Sequence, residues 1–278
     1  MIIAVASGKG GTGKTTVAAN LARVCGADIR LLDCDVEEPN AHVFFKGEPC
    51  GEPEIVTIFV PEVNAAVCDG CGECSRFCMY KALVVLNKRV LVFPEMCHRC
   101  GGCMRVCPKG AISEVPSRIG VVETLKTGLI TLIQGRLDVG VAMAPPLVRA
   151  VKAHILKEGH VIMDAPPGTS CPVIATLRES DYVVLVTEPT PFGLNDLKLA
   201  VSMVRELRLP FGVVINRAGS GDDRVTAYCG EEWISVLAQI PDDRRVAEAY
   251  SCGELAVDVL PDYQPLFKSL WLKIRGLA

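Results

Sequence analysis

The chain has 278 residues, 50% of them hydrophobic, with 14 cysteines and a net charge of −3. That length allows one large core or two domains, and the charge balance leaves no basic footprint for nucleic acid. No uninterrupted apolar stretch reaches the roughly 18 to 20 residues needed to cross a bilayer. The first residues already read as strand and loop without a charged leader, so a soluble, cytoplasmic chain is expected.

The first apolar run, Ile2 to Ala6, reads as a strand, and the amphipathic stretch Lys14 to Cys25 as a helix. Between them lies Gly8-Lys9-Gly10-Gly11-Thr12-Gly13-Lys14-Thr15, followed by Thr16. Strand, loop and helix in this order are the setting that makes a G-x4-G-K-[ST] run a phosphate-binding loop. Its glycines let backbone N–H groups close around phosphate oxygens, and the helix adds its positive N-terminal end. A merely flexible glycine turn would require neither the lysine nor the hydroxyl. Lys14 is expected on the β and γ phosphates and Thr15 on Mg2+. A second strand, Ile29 to Leu32, ends in Asp33-Cys34-Asp35. This puts carboxylates where open α/β sheets bind their ligands.

From about residue 61 to 116 the rhythm of strands and helices stops and cysteine and glycine rise. Two runs repeat each other at an offset of 29 residues: Cys68-x2-Cys71-x2-Cys74-x3-Cys78 and Cys97-x2-Cys100-x2-Cys103-x3-Cys107-Pro108. A C-x2-C-x2-C turn brings three sulfurs to one side of a short loop and leaves the fourth for elsewhere. Zinc ribbons also use C-x2-C pairs and secreted domains use cysteines for disulfides. Zinc gives no reason for the full spacing twice over, and a disulfide scaffold does not suit a reducing compartment.

Beyond the runs the alternation resumes, with helices over Val148 to Lys157, Leu194 to Leu207 and Arg244 to Ser251. Strands are expected at Val161 to Met163, Tyr182 to Val186 and Gly212 to Ile215. Continuous Val/Ile/Leu strands alternating with helices predict a parallel sheet covered on both faces. The expected fold is therefore α/β, a doubly wound, mainly parallel sheet formed by 1–60 and 117–278, with 61–116 inserted as a small α+β module. Acidic and polar groups again follow strands, in Asp164-Ala165-Pro166-Pro167-Gly168-Thr169, Asn216-Arg217 and Pro241-Asp242. The scattered cysteines Cys25, Cys34, Cys50, Cys171, Cys229 and Cys252 read mainly as small buried apolar residues. The closing stretch, Pro265 to Leu277, puts Leu266, Leu270, Trp271 and Ile274 near one helical face beside Lys268, Lys273 and Arg275. That face suits packing on the sheet, with an anionic bilayer as the other reading.

The doubled cysteine run resembles that of two-cluster bacterial ferredoxins, in which the fourth cysteine of each run ligates the other cluster. This resemblance implies one 4Fe-4S cluster on Cys68, Cys71, Cys74 and Cys107, and another on Cys97, Cys100, Cys103 and Cys78. One departure is Met79 in place of a proline after Cys78. Lys9 resembles the second lysine of the deviant Walker A loop in the MinD, ParA and nitrogenase iron-protein superfamily. There it reaches across a dimer interface to the other subunit's phosphates. Asp33-Cys34-Asp35 resembles the first switch of that superfamily, and Asp164 to Thr169 its Walker B aspartate and second switch. The whole is similar to MinD-like or Mrp-like P-loop ATPases with an inserted ferredoxin domain.

The resemblance implies that Lys9, Lys14, Asp35 and Asp164 serve catalysis, with Asp35 orienting the attacking water and Asp164 holding Mg2+ through water. Asp33 would support the Mg2+ shell and the Gly168 N–H would meet the γ phosphate. Asn216, Arg217, Pro241 and Asp242 would lie at the base, ordinary loop structure being the other reading. Ala218 and Gly219 stand where an N-K-x-D guanine reader needs an aspartate, which favours ATP. The implied cofactors are ATP, Mg2+ and two 4Fe-4S clusters. The implied partners are a second copy across the nucleotide site and a redox or cluster-acceptor protein, with no nucleic acid and no membrane. Iron–sulfur or metal-cluster assembly or transfer is the role the resemblance favours. The alternatives are an ATP-gated electron carrier like nitrogenase iron protein and a MinD/ParA-type membrane-positioning ATPase. Hydrolysis is expected to be slow without a partner. Cys171 stays open between a buried thiol and a ligand shared across a dimer.

Overall fold

The computed structural model describes every residue except Ala27, Lys157 and Ala278. The chain forms two compact units, one of residues 1–54, 122–136 and 148–278, the other of 55–121 and 137–147. The segment 61–116 lies within the second unit, whose bounds are wider at both ends.

In chain order the strands are β1 (Ile2–Ala6), β2 (Ile29–Asp33), β3 (Glu48–Pro49), β4 (Glu54–Val63), β5 (Leu83–Leu86) and β6 (Arg89–Val92). They continue with β7 (Ile112–Thr127), β8 (Ile130–Leu137), β9 (His160–Asp164), β10 (Tyr182–Thr187), β11 (Phe211–Ala218) and β12 (Val236–Pro241). The helices are α1 (Lys14–Val24), α2 (Glu73–Phe77), α3 (Gly102–Val106), α4 (Pro145–Lys152), α5 (Cys171–Leu177), α6 (Pro191–Glu206), α7 (Arg224–Glu231), α8 (Arg244–Ser251), α9 (Ala256–Val259) and α10 (Tyr263–Leu277).

The first unit is a mainly parallel α/β sheet in the order β12-β11-β10-β1-β9-β2-β8-β7-β3. From β12 to β8 every neighbouring pair is parallel; beyond β8 the two-residue link from β7 makes β8–β7 an antiparallel hairpin, and β7–β3 is antiparallel as well. The expected strands are all present; β1 coincides with its apolar run, and β2, β9, β10 and β11 are slightly longer than theirs. β10 is buried along its whole length and β1 and β9 along four of five residues, as befits strands covered on both faces. Because β1 is flanked by β9 and β10, the sheet has its switch point there, and the C-terminal ends of β1, β2, β9, β10, β11 and β12 share one edge.

Two expectations are corrected. The helix predicted from Val148 to Lys157 is α4, which starts earlier, at the Pro145-Pro146 pair, and stops at Lys152. Proline suits a first turn because its missing N–H has no partner there, and in the last turn the Lys152 ammonium donates to the carbonyls of Ala175 and Arg178. The expected end at Lys157 lies outside the described residues. The second correction is β7, which runs straight through Pro116, where the inserted segment was expected to end.

The closing helix α10 spends its apolar face on the core. Phe267, Leu270, Trp271 and Ile274 are buried in one cluster with Val17, Leu21 and the sheet, and Leu266 packs against it. That surface is therefore not available to a bilayer, and among the described residues no helix is long and apolar enough to cross one. Phe267→Ala should lower the unfolding free energy by about 3–5 kcal/mol through the cavity it leaves. Leu272→Ala, on the exposed face of the same helix, should change it by less than about 0.5 kcal/mol. Urea unfolding of the two variants checks both values.

Candidate functional site

The loop after β1 is shaped by what touches it. A Cβ at Gly8 would overlap the Asp196 carbonyl of α6, and one at Gly13, whose φ is +91°, would strike the Asn216 amide. Only glycine fits either place. Asn216, at the end of β11, donates to the Thr12 carbonyl at 2.8 Å and so pins the loop from the side. Lys14 opens α1 and is buried, as are Thr12 and Asp164. The Thr15 hydroxyl donates to Asp164 Oδ2 at 2.5 Å, joining the first turn of α1 to the end of β9. Asp164 Oδ1 is also buried and finds no hydrogen-bond partner among the described residues.

Asp33 and Asp164 pair in register on adjacent strands β2 and β9. Burial and mutual repulsion hold the Asp33 carboxyl well above the usual carboxylate range, although it accepts N–H bonds from Asp35 (3.1 Å), Asn40 (2.9 Å) and Ala41 (3.0 Å). Asp33 is thus the anchor that folds the 35–41 loop over the strand end. Burial pushes Asp164 up to about 7, against the Thr15 hydroxyl and the Lys14 charge. Burial likewise raises Asp35 to about 6, opposed chiefly by Lys14. Gly168, at φ +92°, gives its N–H to the Ser7 carbonyl at 3.0 Å, tying the 165–169 loop to the start of the phosphate loop.

Lys9 lies against Glu188, with 3.3 Å between Nζ and Oε2, and Arg217 holds the other oxygen of Glu188 at 2.9 Å. Pro241 ends β12, and Asp242 donates its N–H to the Ala218 carbonyl at 3.0 Å. Both sit at the same sheet edge as Asn216 and Arg217.

In the second unit the sequence repeat is also a backbone repeat. α2 and α3 each have five residues, start after a glycine in the left-handed region (Gly72 at +81°, Gly101 at +68°) and end at an extended cysteine, Cys78 or Cys107. The third cysteine of each run is in the helix and the fourth leaves it. Gly102 is in place because a Cβ there would overlap the Phe77 ring of α2. After Cys78 the turn closes through Lys81 N–H to the Cys78 carbonyl at 3.2 Å, as Gly110 closes on Cys107 at 3.2 Å. Met79 thus forms the turn that Pro108 forms in the second run.

Two cavities result. One is lined by Cys68, Cys71, Cys74 and Cys107, and the other by Cys78, Cys97, Cys100 and Cys103. Backbone N–H groups point at two of the sulfurs, Arg99 to Cys97 at 3.4 Å and Ala111 to Cys107 at 3.3 Å. Burial raises the Cys74 and Cys103 thiols, with their neighbouring cysteines adding to the effect. Among the described residues, no group of three or more His, Cys, Asp or Glu side chains stands as it would around a single metal ion.

Comparison with known proteins matches residues 3–256 to the CobQ/CobB/MinD/ParA nucleotide binding domain. The chain belongs to that family. It is 31% identical to the uncharacterized protein MJ0579 of Methanocaldococcus jannaschii, over 91% of this chain and 90% of that one. It is 28% identical to a protein of Aquifex aeolicus named iron-sulfur cluster carrier protein, over 94% of this chain and 63% of that one. Among solved structures, the cell division ATPase MinD of Pyrococcus furiosus superposes with a TM-score of 0.61 at 20% identity, over 100% of this chain and 99% of that one. The fold is therefore the MinD/ParA P-loop fold, and this chain is a nucleotide-binding member of that ATPase family.

Glu188 went unread in the sequence of this family member; its position at the end of an apolar strand, in Thr187-Glu188-Pro189-Thr190, was the available signal. Tyr250 on α8 also went unread, although burial, and after it the charges of Asp164 and Asp33, raise its hydroxyl. Among the scattered cysteines, Cys34 and Cys229 are buried, but Cys50 and Cys252 are exposed, which corrects their reading as buried apolar residues, and Cys171 is exposed, which removes the buried-thiol alternative for it. Cys171 is the first residue of α5, whose buried side is Val173, Thr176 and Leu177.

The raised Asp164 carboxyl has a consequence for stability. Folded, it keeps its proton up to about pH 7, whereas unfolded it loses it near pH 4. The folded state binds more protons in that window, so the contribution of this group is complete below about pH 4 and is lost as pH rises through 7. In chelator-treated, nucleotide-free protein, Asp164→Asn should therefore be more stable than wild type at pH 8, with the advantage shrinking toward pH 4. Urea unfolding at both pH values checks this; an advantage that grew at low pH would contradict it.

Proposed function

We propose that the protein is a homodimeric Mg-ATPase whose second unit holds two 4Fe-4S clusters. Its nucleotide cycle would be coupled to assembly of an iron–sulfur or related metal cluster, or its transfer to an acceptor protein. The observation that carries this reading is the division of eight repeated cysteines into two foursomes, each lining its own cavity and each completed by the fourth cysteine of the other run. Four thiols around a cavity suit a ligand with volume of its own, and N–H groups aimed at sulfur suit thiolates. The relative named as an iron-sulfur cluster carrier points the same way.

At the nucleotide site the residues fit a magnesium ion. Asp164 Oδ1 is buried beside the Thr15 hydroxyl with no partner among the described residues, and a cation there would favour the ionised form that burial disfavours. Thr15 and Asp164 would hold Mg2+, whose chemistry when bound is to neutralise charge on the phosphate oxygens. The N–H groups of Gly10 to Thr16 and the Lys14 ammonium bind the ATP phosphates. Asp35, with its raised carboxyl, accepts a proton from water or orients it. Asp33 acts through the loop it anchors. Lys9 leaves Glu188 to reach the phosphates of a second copy, and Asn216, Arg217, Pro241 and Asp242 border the adenine. When bound, 4Fe-4S clusters supply one-electron capacity, and the eight cysteines would hold them.

An ATP-gated electron carrier is the second reading. It is favoured by the presence of two cysteine cavities side by side in the sequence repeat, which suit electron passage from one cluster to another. A positioning role on membranes has less support, since the apolar face of α10 is buried.

Anaerobically prepared full-length protein, examined by cluster spectroscopy with and without ATP and then incubated with an apo-acceptor, separates the readings. Iron that leaves with the acceptor indicates a carrier, and clusters that stay while cycling between oxidised and reduced forms indicate an electron conduit. Zinc, or no iron, would end both. ATP turnover per chain should rise with protein concentration, and Lys9→Ala should lower it about 10²-fold, as for loss of a charge-stabilising donor. Fast turnover at concentrations where the protein is monomeric would remove the role given to Lys9.

A further inference from the structure

The two cysteine runs share spacing and backbone but differ at the residue before their second cysteine. The first run has Gly70 there and the second Arg99. Both take a left-handed conformation, at φ +73° and +53°. For glycine this is free; for arginine it is strained, so the side chain must give something in return. Arg99 lines the cavity formed by Cys78, Cys97, Cys100 and Cys103. Its Nε is buried and finds no hydrogen-bond partner among the described residues, and its Nη2 meets only the Met143 sulfur, at 3.9 Å. A buried guanidinium N–H is costly unless something in the cavity accepts from it.

The first cavity has no counterpart. Its charged lining is Asp69, Glu73 and Lys109, with Lys109 3.8 Å from Asp69, and all three are exposed. It could not accept an arginine at the matching place, because a Cβ on Gly70 would stand 2.5 Å from the Lys88 carbonyl oxygen. Glu114 also lines the Arg99 cavity but is exposed, so solvent screens it more than the buried part of Arg99. The stacked rings of Tyr80 and His98, 3.6 Å apart, line the same cavity.

We propose that Arg99 makes the two cluster sites electrostatically unequal. Its charge and its free N–H stabilise added negative charge on a cluster held by Cys78, Cys97, Cys100 and Cys103. That cluster takes the first electron from a low-potential one-electron donor, passing from the 2+ to the 1+ state. The cluster held by Cys68, Cys71, Cys74 and Cys107 takes the second electron in the same way. Arg99 is then a potential-setting residue, and it gives electrons in this unit a resting place. The inference rests on the reading that both cavities hold 4Fe-4S clusters.

A spectroscopic redox titration of the full-length, anaerobically reconstituted protein, with iron counted on the same samples, tests it. Wild type should titrate in two one-electron steps. Arg99→Gly installs the residue of the first run and relieves the strained φ, so both clusters should remain. The higher midpoint should fall by at least a tenfold change in equilibrium constant, about 59 mV for a one-electron couple, while the lower stays. Arg99→Lys, which keeps the charge, should preserve most of the separation. A single midpoint for both clusters in wild type, or unchanged midpoints in Arg99→Gly at full iron content, would overturn the inference while leaving the cluster reading intact. Wild-type protein without an iron–sulfur signal would instead overturn the reading beneath it.

Discussion

Asp33 and Asp164 lie opposite each other at the C-terminal ends of adjacent parallel strands, both out of solvent. Two carboxylates so placed cannot both be charged cheaply, and each needs compensation that the sheet itself cannot supply. For Asp33 three backbone N–H groups do this, and in doing so they fold residues 35–41 over the strand end. For Asp164 the compensation is half built. One oxygen takes the Thr15 hydroxyl, Lys14 contributes its charge, and the other oxygen has no partner among the described residues. The fold thus keeps a buried acid at the mouth of an anion-binding loop, a position whose electrostatics change sharply with what enters.

Around this pair, the loop contacts are arranged so that no element can shift alone. Gly168 bonds to Ser7, Asn216 to Thr12, and Thr15 to Asp164, so the ends of β1, β9 and β11 are tied through the phosphate loop itself. Glu188 adds a different kind of tie. With Lys9 on one oxygen and Arg217 on the other, departure of Lys9 would still leave a paired carboxylate. A buried acid with a single partner would resist that departure strongly; this one resists it less.

How much of this was visible in the residues depends on range. Continuous apolar runs such as Tyr182 to Val186 announced their strands, because a strand covered on both faces leaves no other trace. The phosphate loop was legible because its parts are neighbours in the chain. Glu188 was not, since its meaning comes from Lys9 and Arg217, far away in sequence and adjacent only after three parallel strands have paired. Asp33 was visible as an acid after a strand, but its use as an anchor depends on a turn seven residues on. The boundary near 116 was drawn from composition, which does not see β7 running through it; proline is tolerated in a strand where its missing donor is not needed by the ladder.

The second unit obeys a different economy. Its two helices have five residues each, too short to be stable by themselves, and many of its apolar side chains, among them Phe59, Phe77, Met79 and Met96, are exposed. The halves meet where the Phe77 ring of α2 packs on Gly102 of α3, and they also exchange their fourth cysteines. The extended backbone at Cys78 and Cys107 takes each away from its own run and into the cavity of the other. Anything held by all four cysteines of either cavity therefore cross-links both runs. Binding at one cavity orders the backbone that completes the second, because each fourth cysteine follows directly from the helix that carries the third cysteine of its own run. Stability that a small core cannot provide would then come from occupancy, and the two cavities would fill and empty as a pair.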